Sequence, residues 1–125
     1  MSQKIWEING LSLELDLENA DCMERYENAF EEMKKEENEV PKDGKASMRI
    51  RAYCRLFRNL YDNIFGEGTS ERIFKDIPDN TDAYDKIYFE FLEFVTAQKA
   101  SAAETRNERM AKYRLNRKQR RIRRK

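Results

Sequence analysis

The sequence predicts an α+β fold that is mostly α: an N-terminal β-hairpin packed on a small helical bundle, followed by a basic C-terminal tail of helix-forming composition. Three observations predict it. Apolar residues alternate on both sides of an Asn-Gly pair between Lys4 and Leu17. They then recur at steps of three and four in separate stretches between Met23 and Val95. Beyond about Gln98 large apolar side chains nearly vanish while Arg and Lys accumulate.

The first element reads as a hairpin because Ile5, Trp6 and Ile8 precede Asn9-Gly10, and Leu11, Leu13 and Leu15 follow it. Asn-Gly accepts positive φ at both central positions of a type I′ turn, whose twist matches that of two antiparallel strands. Such a hairpin alone is marginal, so its apolar face must lie on helices. From about Glu18 to Asn38, Met23, Tyr26, Phe30 and Met33 form one stripe of an amphipathic helix. Val40-Pro41-Lys42-Asp43-Gly44 ends it, since proline lacks a donor and glycine opens the turn. A second helix, about Ala46 to Phe65, places Ile50, Tyr53, Phe57, Leu60 and Ile64 on one stripe widened by Cys54, Leu56 and Tyr61. Arg49, Arg51, Arg55 and Arg58 lie mostly off that stripe. Gly66 is placed to end the helix as a left-handed C-cap, and Thr69 or Ser70 to cap a short third helix through Ile73-Phe74. After Pro78-Asp79-Asn80-Thr81 a fourth helix brings Tyr84, Ile87, Tyr88, Phe91, Leu92 and Val95 to the core. The expected core includes Tyr26, Phe30, Phe57, Leu60, Phe91 and Val95.

Charge divides the chain into two parts. Residues 1–105, the hairpin and helical body, hold 14 Lys/Arg against 23 Asp/Glu, a net −9; residues 106–125 hold 11 against 1, a net +10. With 39% of its residues charged and 39% hydrophobic, much of this chain must be solvated. No apolar run approaches the roughly 18 residues of a membrane span, and Met1 to Ile8 lacks the apolar stretch of a secretory leader. Cys22 and Cys54 belong to no CxxC pair and read as reduced, semi-buried small hydrophobes. These features lead us to expect a cytoplasmic protein with no membrane partner.

Chemistry is hard to build from this chain. Histidine is absent, which removes Ser-His and Cys-His pairs and Cys/His zinc sites. Acidic pairs such as Glu31-Glu32, Glu36-Glu37 and Asp82/Asp85 are ordinary solvated-face residues in so charged a composition. Gly66-Glu67-Gly68-Thr69 follows a helix and lacks the lysine of a phosphate-binding loop, so capping explains it. We therefore expect no enzyme, no catalytic residues, no metal and no cofactor.

The tail is the one charged feature that asks for a partner. Arg117, Gln119, Arg120, Arg121, Arg123 and Arg124 are the candidate partner-binding residues. Such a density of positive charge attracts phosphates, although Tyr113 is the tail's one stacking ring, so nucleic-acid binding there would be nonspecific and salt-sensitive. An acidic protein surface fits equally well, including the acidic body of a neighbouring copy, so self-association is expected too.

Specific motifs add a resemblance. Glu7-Ile8-Asn9-Gly10, Met23-Glu24-Arg25-Tyr26-Glu27, and Phe65-Gly66-Glu67-Gly68-Thr69 followed by Ile73-Phe74 occur in that order. Near the end stands Asn116-Arg117-Lys118-Gln119-Arg120-Arg121. Over its whole length the chain resembles small tail assembly chaperone-like proteins encoded beside the tail genes of phages and prophages in Gram-positive bacteria. It departs from their pattern at Lys75, where a glycine is usual, and at Leu115, where a proline is frequent. Losing that proline would let a helix run from the fourth helix into the basic end. The resemblance implies a non-catalytic chaperone that binds phage tail proteins, chiefly the tape measure protein, and keeps it soluble. It also implies action in the host cytoplasm and absence from the mature virion. Two other readings stay open: a small phage inhibitor of a host defence system, such as a CRISPR inhibitor, and a basic-tailed nucleic-acid-binding protein.

Overall fold

The computed structural model describes the backbone of residues 3–123 and the side chains of residues 3–114. In chain order the elements are β1 (Ile5–Ile8), β2 (Leu11–Glu14), α1 (Ala20–Glu39), α2 (Ala46–Phe65), α3 (Thr69–Ile73) and α4 (Thr81–Arg123). The fold is α+β and mostly helical, with the antiparallel hairpin packed against the helices.

Ile8 pairs with Leu11 across a two-residue turn in which Asn9 and Gly10 have φ of 48° and 79°, the type I′ arrangement. The register sets Trp6 opposite Leu13, so Trp6, Ile8 and Leu13 turn one apolar face to the core while Ile5 points outward. Four long-range hydrogen bonds, made by two side chains, hold the hairpin in place. Asn9 Nδ2 donates to the Ile73 carbonyl at 2.7 Å. Gln98, buried in α4, accepts from the Leu17 N–H at 2.7 Å and donates to the carbonyls of Leu15 at 2.8 Å and Gln3 at 3.0 Å.

α1 begins where the Asn19 side chain accepts from the Cys22 N–H, and ends before the loop that holds Pro41 and Gly44. α2 returns beside it and supplies much of the core through Cys54, Leu56, Phe57, Leu60, Tyr61 and Ile64. Gly66 ends α2 with φ of 118° as expected, but its ψ of 153° is the mirror-extended region that essentially glycine alone adopts, not the left-handed helical one. The α3 cap also differs from expectation. Gly68 occupies the cap position, and Asp62 one turn before the end of α2 accepts from both the backbone N–H and the hydroxyl of Ser70. Asn80 accepts from the Ala83 N–H to start α4. Arg58 Nη1 meets Asp79 at 2.6 Å and the Tyr84 hydroxyl at 3.1 Å, while the rings of Tyr84 and Phe74 stack with centroids 3.9 Å apart.

The core is aromatic. Trp6 lies 5.2–6.0 Å from the rings of Tyr61, Phe65 and Phe91. Phe57, Leu60, Phe91 and Val95 are buried as expected. Tyr26 and Phe30 are half-buried instead, because α1 buries Ala29 and leaves its aromatic stripe at the edge of the core. Ile50 is exposed, since the first turns of α2 extend past the body that would cover them. Cys22 and Cys54 are free thiols. α4 runs without interruption across Arg106, where the sequence changes charge, and residues 103–114 are all exposed.

Candidate protein-binding groove

α1 and α2 are antiparallel amphipathic helices, and their apolar sides do not close against each other along their full length. Near the end of α1 they leave a cleft of about 570 Å³. Met33, Val40, Pro41, Tyr53, Leu56 and Phe57 make its apolar lining; Glu37, Lys42 and Arg49 stand at its edge. Local sequence explains the shape. Pro41 and Gly44 force a connection wide enough to splay the helix ends, and Met and Tyr side chains cover apolar surface without filling the gap.

Two residues of the cleft lining are tied to α4. Tyr53 donates its hydroxyl to Asp85, and the rings of Phe57 and Tyr88 are 5.0 Å apart. α1 reaches α4 at Tyr26, whose ring lies 6.5 Å from Phe91 and 5.7 Å beneath the Lys99 ammonium. Met23, Tyr26, Phe30 and Met33 on α1, Tyr53 on α2 and Tyr88 on α4 are half-buried hydrophobics packed against the core, and Phe57 is buried.

The phenols here are held neutral. Burial first, then the hydrogen bond to Asp85, pushes Tyr53 up to about 12. Burial also raises Tyr88, and burial together with Tyr88 raises Tyr26. Tyrosines are neutral at pH 7 with or without these shifts, so the surface presents aromatic faces and a few hydroxyl donors, a combination enriched where proteins bind one another.

A second, more polar cavity of about 370 Å³ lies between the N-terminal edge of the hairpin and α4, edged by Lys4, Arg106 and Arg109. Among the described residues, no group of three or more Cys, Asp or Glu side chains is placed to hold a metal ion. Nor is any helix there long and apolar enough to cross a membrane.

Of the tail residues singled out in the sequence, Arg117, Gln119, Arg120, Arg121 and Arg123 belong to the α4 backbone, with side chains outside the described residues; Arg124 lies outside them altogether. The groove residues escaped sequence reasoning. An apolar stripe at helical spacing looks the same whether a neighbour covers it wholly or in part, and the stripe on α1 is covered in part.

No curated protein sequence and no solved structure matches the chain. A family described as being of unknown function, DUF6673, matches residues 9–124, and the chain belongs to that family.

Proposed function

We propose that this protein is a non-catalytic phage tail assembly chaperone, which binds apolar helical segments of tail proteins, chiefly the tape measure protein, and keeps them soluble until the tail is built. The observation that carries the reading is the open groove lined by Met33, Tyr53, Leu56 and Phe57 and extended by the half-exposed stripe on α1. Grooves of this kind hold the apolar face of an amphipathic helix through anchors at steps of three and four. Its methionines adapt to varied client side chains. The charged outer surface keeps the complex in solution. Weak contacts suffice because many copies act along one long client. The protein would act in the host cytoplasm and be absent from the finished virion. The motif resemblance supplies the identity of the client; the groove supplies the mode of binding.

Co-expression with the tape measure protein of the same phage tests this. The chaperone should raise that protein's soluble yield and co-purify with it, and Met33→Glu, at the edge of the core, should abolish both while leaving the helical signal intact. Failure of the wild-type pair to co-purify would refute the reading.

One observation favours a second reading, inhibition of a host defence system by mimicry of nucleic acid. The exposed side of α1 carries Asp21, Glu24, Glu27, Glu31 and Glu32 on a rigid helix. Arg25, Lys34 and Lys35 interrupt that array, which is why the chaperone reading ranks first.

A further inference from the structure

The hairpin and α4 part just beyond Gln98. That side chain binds the chain where it enters the hairpin, at the Gln3 carbonyl, and where it leaves, at Leu15 and Leu17. One turn further along α4 the cavity of about 370 Å³ opens. Ser101, Ala102 and Thr105 line it from α4, Lys4 and Glu18 from the two ends of the hairpin, and Arg106 and Arg109 from the start of the basic stretch.

Its chemistry is unlike that of the cleft between α1 and α2. Among the described residues Ala102 is its one apolar lining side chain, so it offers no anchor to an apolar helix. Its donors are the Lys4 ammonium, two guanidinium groups and the hydroxyls of Ser101 and Thr105. Three cations line it against one carboxylate, Glu18. Lys4 is paired with Asp16 at 3.3 Å, whereas neither Arg106 nor Arg109 has a carboxylate within 4 Å among the described residues. The neighbouring acids of α4, Glu104 and Glu108, do not line the cavity. Its positive charge therefore rests mainly on the two arginines.

Guanidinium groups pair with phosphate through two parallel bonds, and hydroxyls add the neutral contacts that fix a phosphate in place. A bare oxyanion would leave much of the space empty, because cavities from about 300 Å³ upward hold small organic molecules. We propose that this cavity binds the phosphate of a nucleotide unit, with Arg106 and Arg109 pairing its oxygens and Ser101 and Thr105 donating their hydroxyls. The unit is a free mononucleotide or one residue of a single strand. Arg106, Arg109 and Lys112 follow at steps of three along α4, so a strand seated in the cavity meets a further cation on the arm. The site is separate from the α1–α2 cleft and does not rest on the chaperone reading.

Amide NMR of the full, isotope-labelled chain tests the proposal, with inorganic phosphate, deoxythymidine monophosphate and a short oligodeoxythymidine as probes. Lys4, Ser101 and Thr105 should show saturable shifts, at lower concentration for the mononucleotide than for phosphate. A strand that binds more tightly than the mononucleotide, with a steeper salt dependence, identifies nucleic acid as the source; equal affinities identify the free nucleotide. Ala102→Leu fills the cavity without changing charge and should abolish the shifts while the helical signal stays. Thr105→Leu, at an exposed position on the same wall, should do the same and serves if Ala102→Leu disturbs the fold. Arg106→Gln with Arg109→Gln should weaken binding about tenfold or more. Glu18→Gln should tighten it about two- to fivefold, and Glu31→Gln, on the exposed side of α1, should leave it unchanged. An absence of saturable shifts at Lys4 and Ser101 overturns the proposal. So does undiminished binding in a folded cavity-filled variant, which would mean that the charge of the arm alone attracts the anion. An oligoglutamate peptide that binds as tightly as the mononucleotide overturns the assignment to phosphate.

Discussion

Replacing Gln98 with alanine removes the amide that joins the hairpin to α4. In the wild type its oxygen satisfies the Leu17 N–H and its nitrogen satisfies the Leu15 and Gln3 carbonyls. The Leu15 and Leu17 bonds are buried, the Gln3 bond partly so. A buried backbone group left without a partner costs about 1–3 kcal/mol. Two such groups, with some relief from water entering the gap, give about 2–4 kcal/mol. For a domain near 100 residues that lowers the melting temperature by roughly 10–20 °C. Circular dichroism reads the melt, and Trp6, the sole tryptophan, reads the hairpin, because its ring is buried among Tyr61, Phe65 and Phe91. In Gln98→Ala the Trp6 emission should shift to the red in less urea than is needed to lose the helical signal, since the hairpin detaches first. A loss no larger than the ~0.5 kcal/mol of an ordinary surface substitution would refute the reasoning.

Phe57→Ala should destabilise by about 3–5 kcal/mol, because Phe57 is buried with Tyr53 and Tyr88 each 5.0 Å away; an unchanged melt would place it outside the core. Gly66→Val should cost about 1–3 kcal/mol through backbone strain alone, since φ of 118° is unfavourable for valine while nothing lies within 4 Å of an added Cβ. If its urea midpoint matches that of valine placed at an exposed α1 site, the assignment of Gly66 is wrong. Tyr53, whose pKa in the fold is raised to about 12 by burial and then by Asp85, favours its neutral form when folded. Its contribution is therefore fully present below about pH 10, the unfolded value, and is lost as pH rises toward 12. Tyr53→Phe should flatten the fall in urea midpoint over that interval, and an identical pH profile would contradict the cause.

Local chemistry made much of the fold readable. Asn9-Gly10 demanded positive φ twice, which names one hairpin turn and with it the pairing of Ile8 with Leu11. Pro41, Gly44 and Gly66 bracket α2, so its limits follow from backbone freedom. Gln98 was not readable, because a polar residue among Thr96, Lys99 and Ser101 looks solvated until the exit of the hairpin is laid over it. Asp62 as the clamp on Ser70 depends likewise on the angle between α2 and α3. Periodicity placed Ile50 and Phe57 on one stripe but carried no information on how far the body extends, and Ile50 lies beyond it. The groove depends on the same missing quantity: how the ends of α1 and α2 sit against each other is a property of their packing, and half-coverage leaves no mark on spacing.

The claim that the groove holds a helix is tested most directly by methyl NMR of the methionines during titration with a synthetic helical segment of the tape measure protein. Met33 lines the cleft, Met23 lies on the stripe beside it, and Met48 sits 56% exposed on α2 outside the apolar lining. The account predicts saturable shifts of the Met33 and Met23 methyl signals with the Met48 signal stationary. Binding that leaves Met33 unmoved would contradict it.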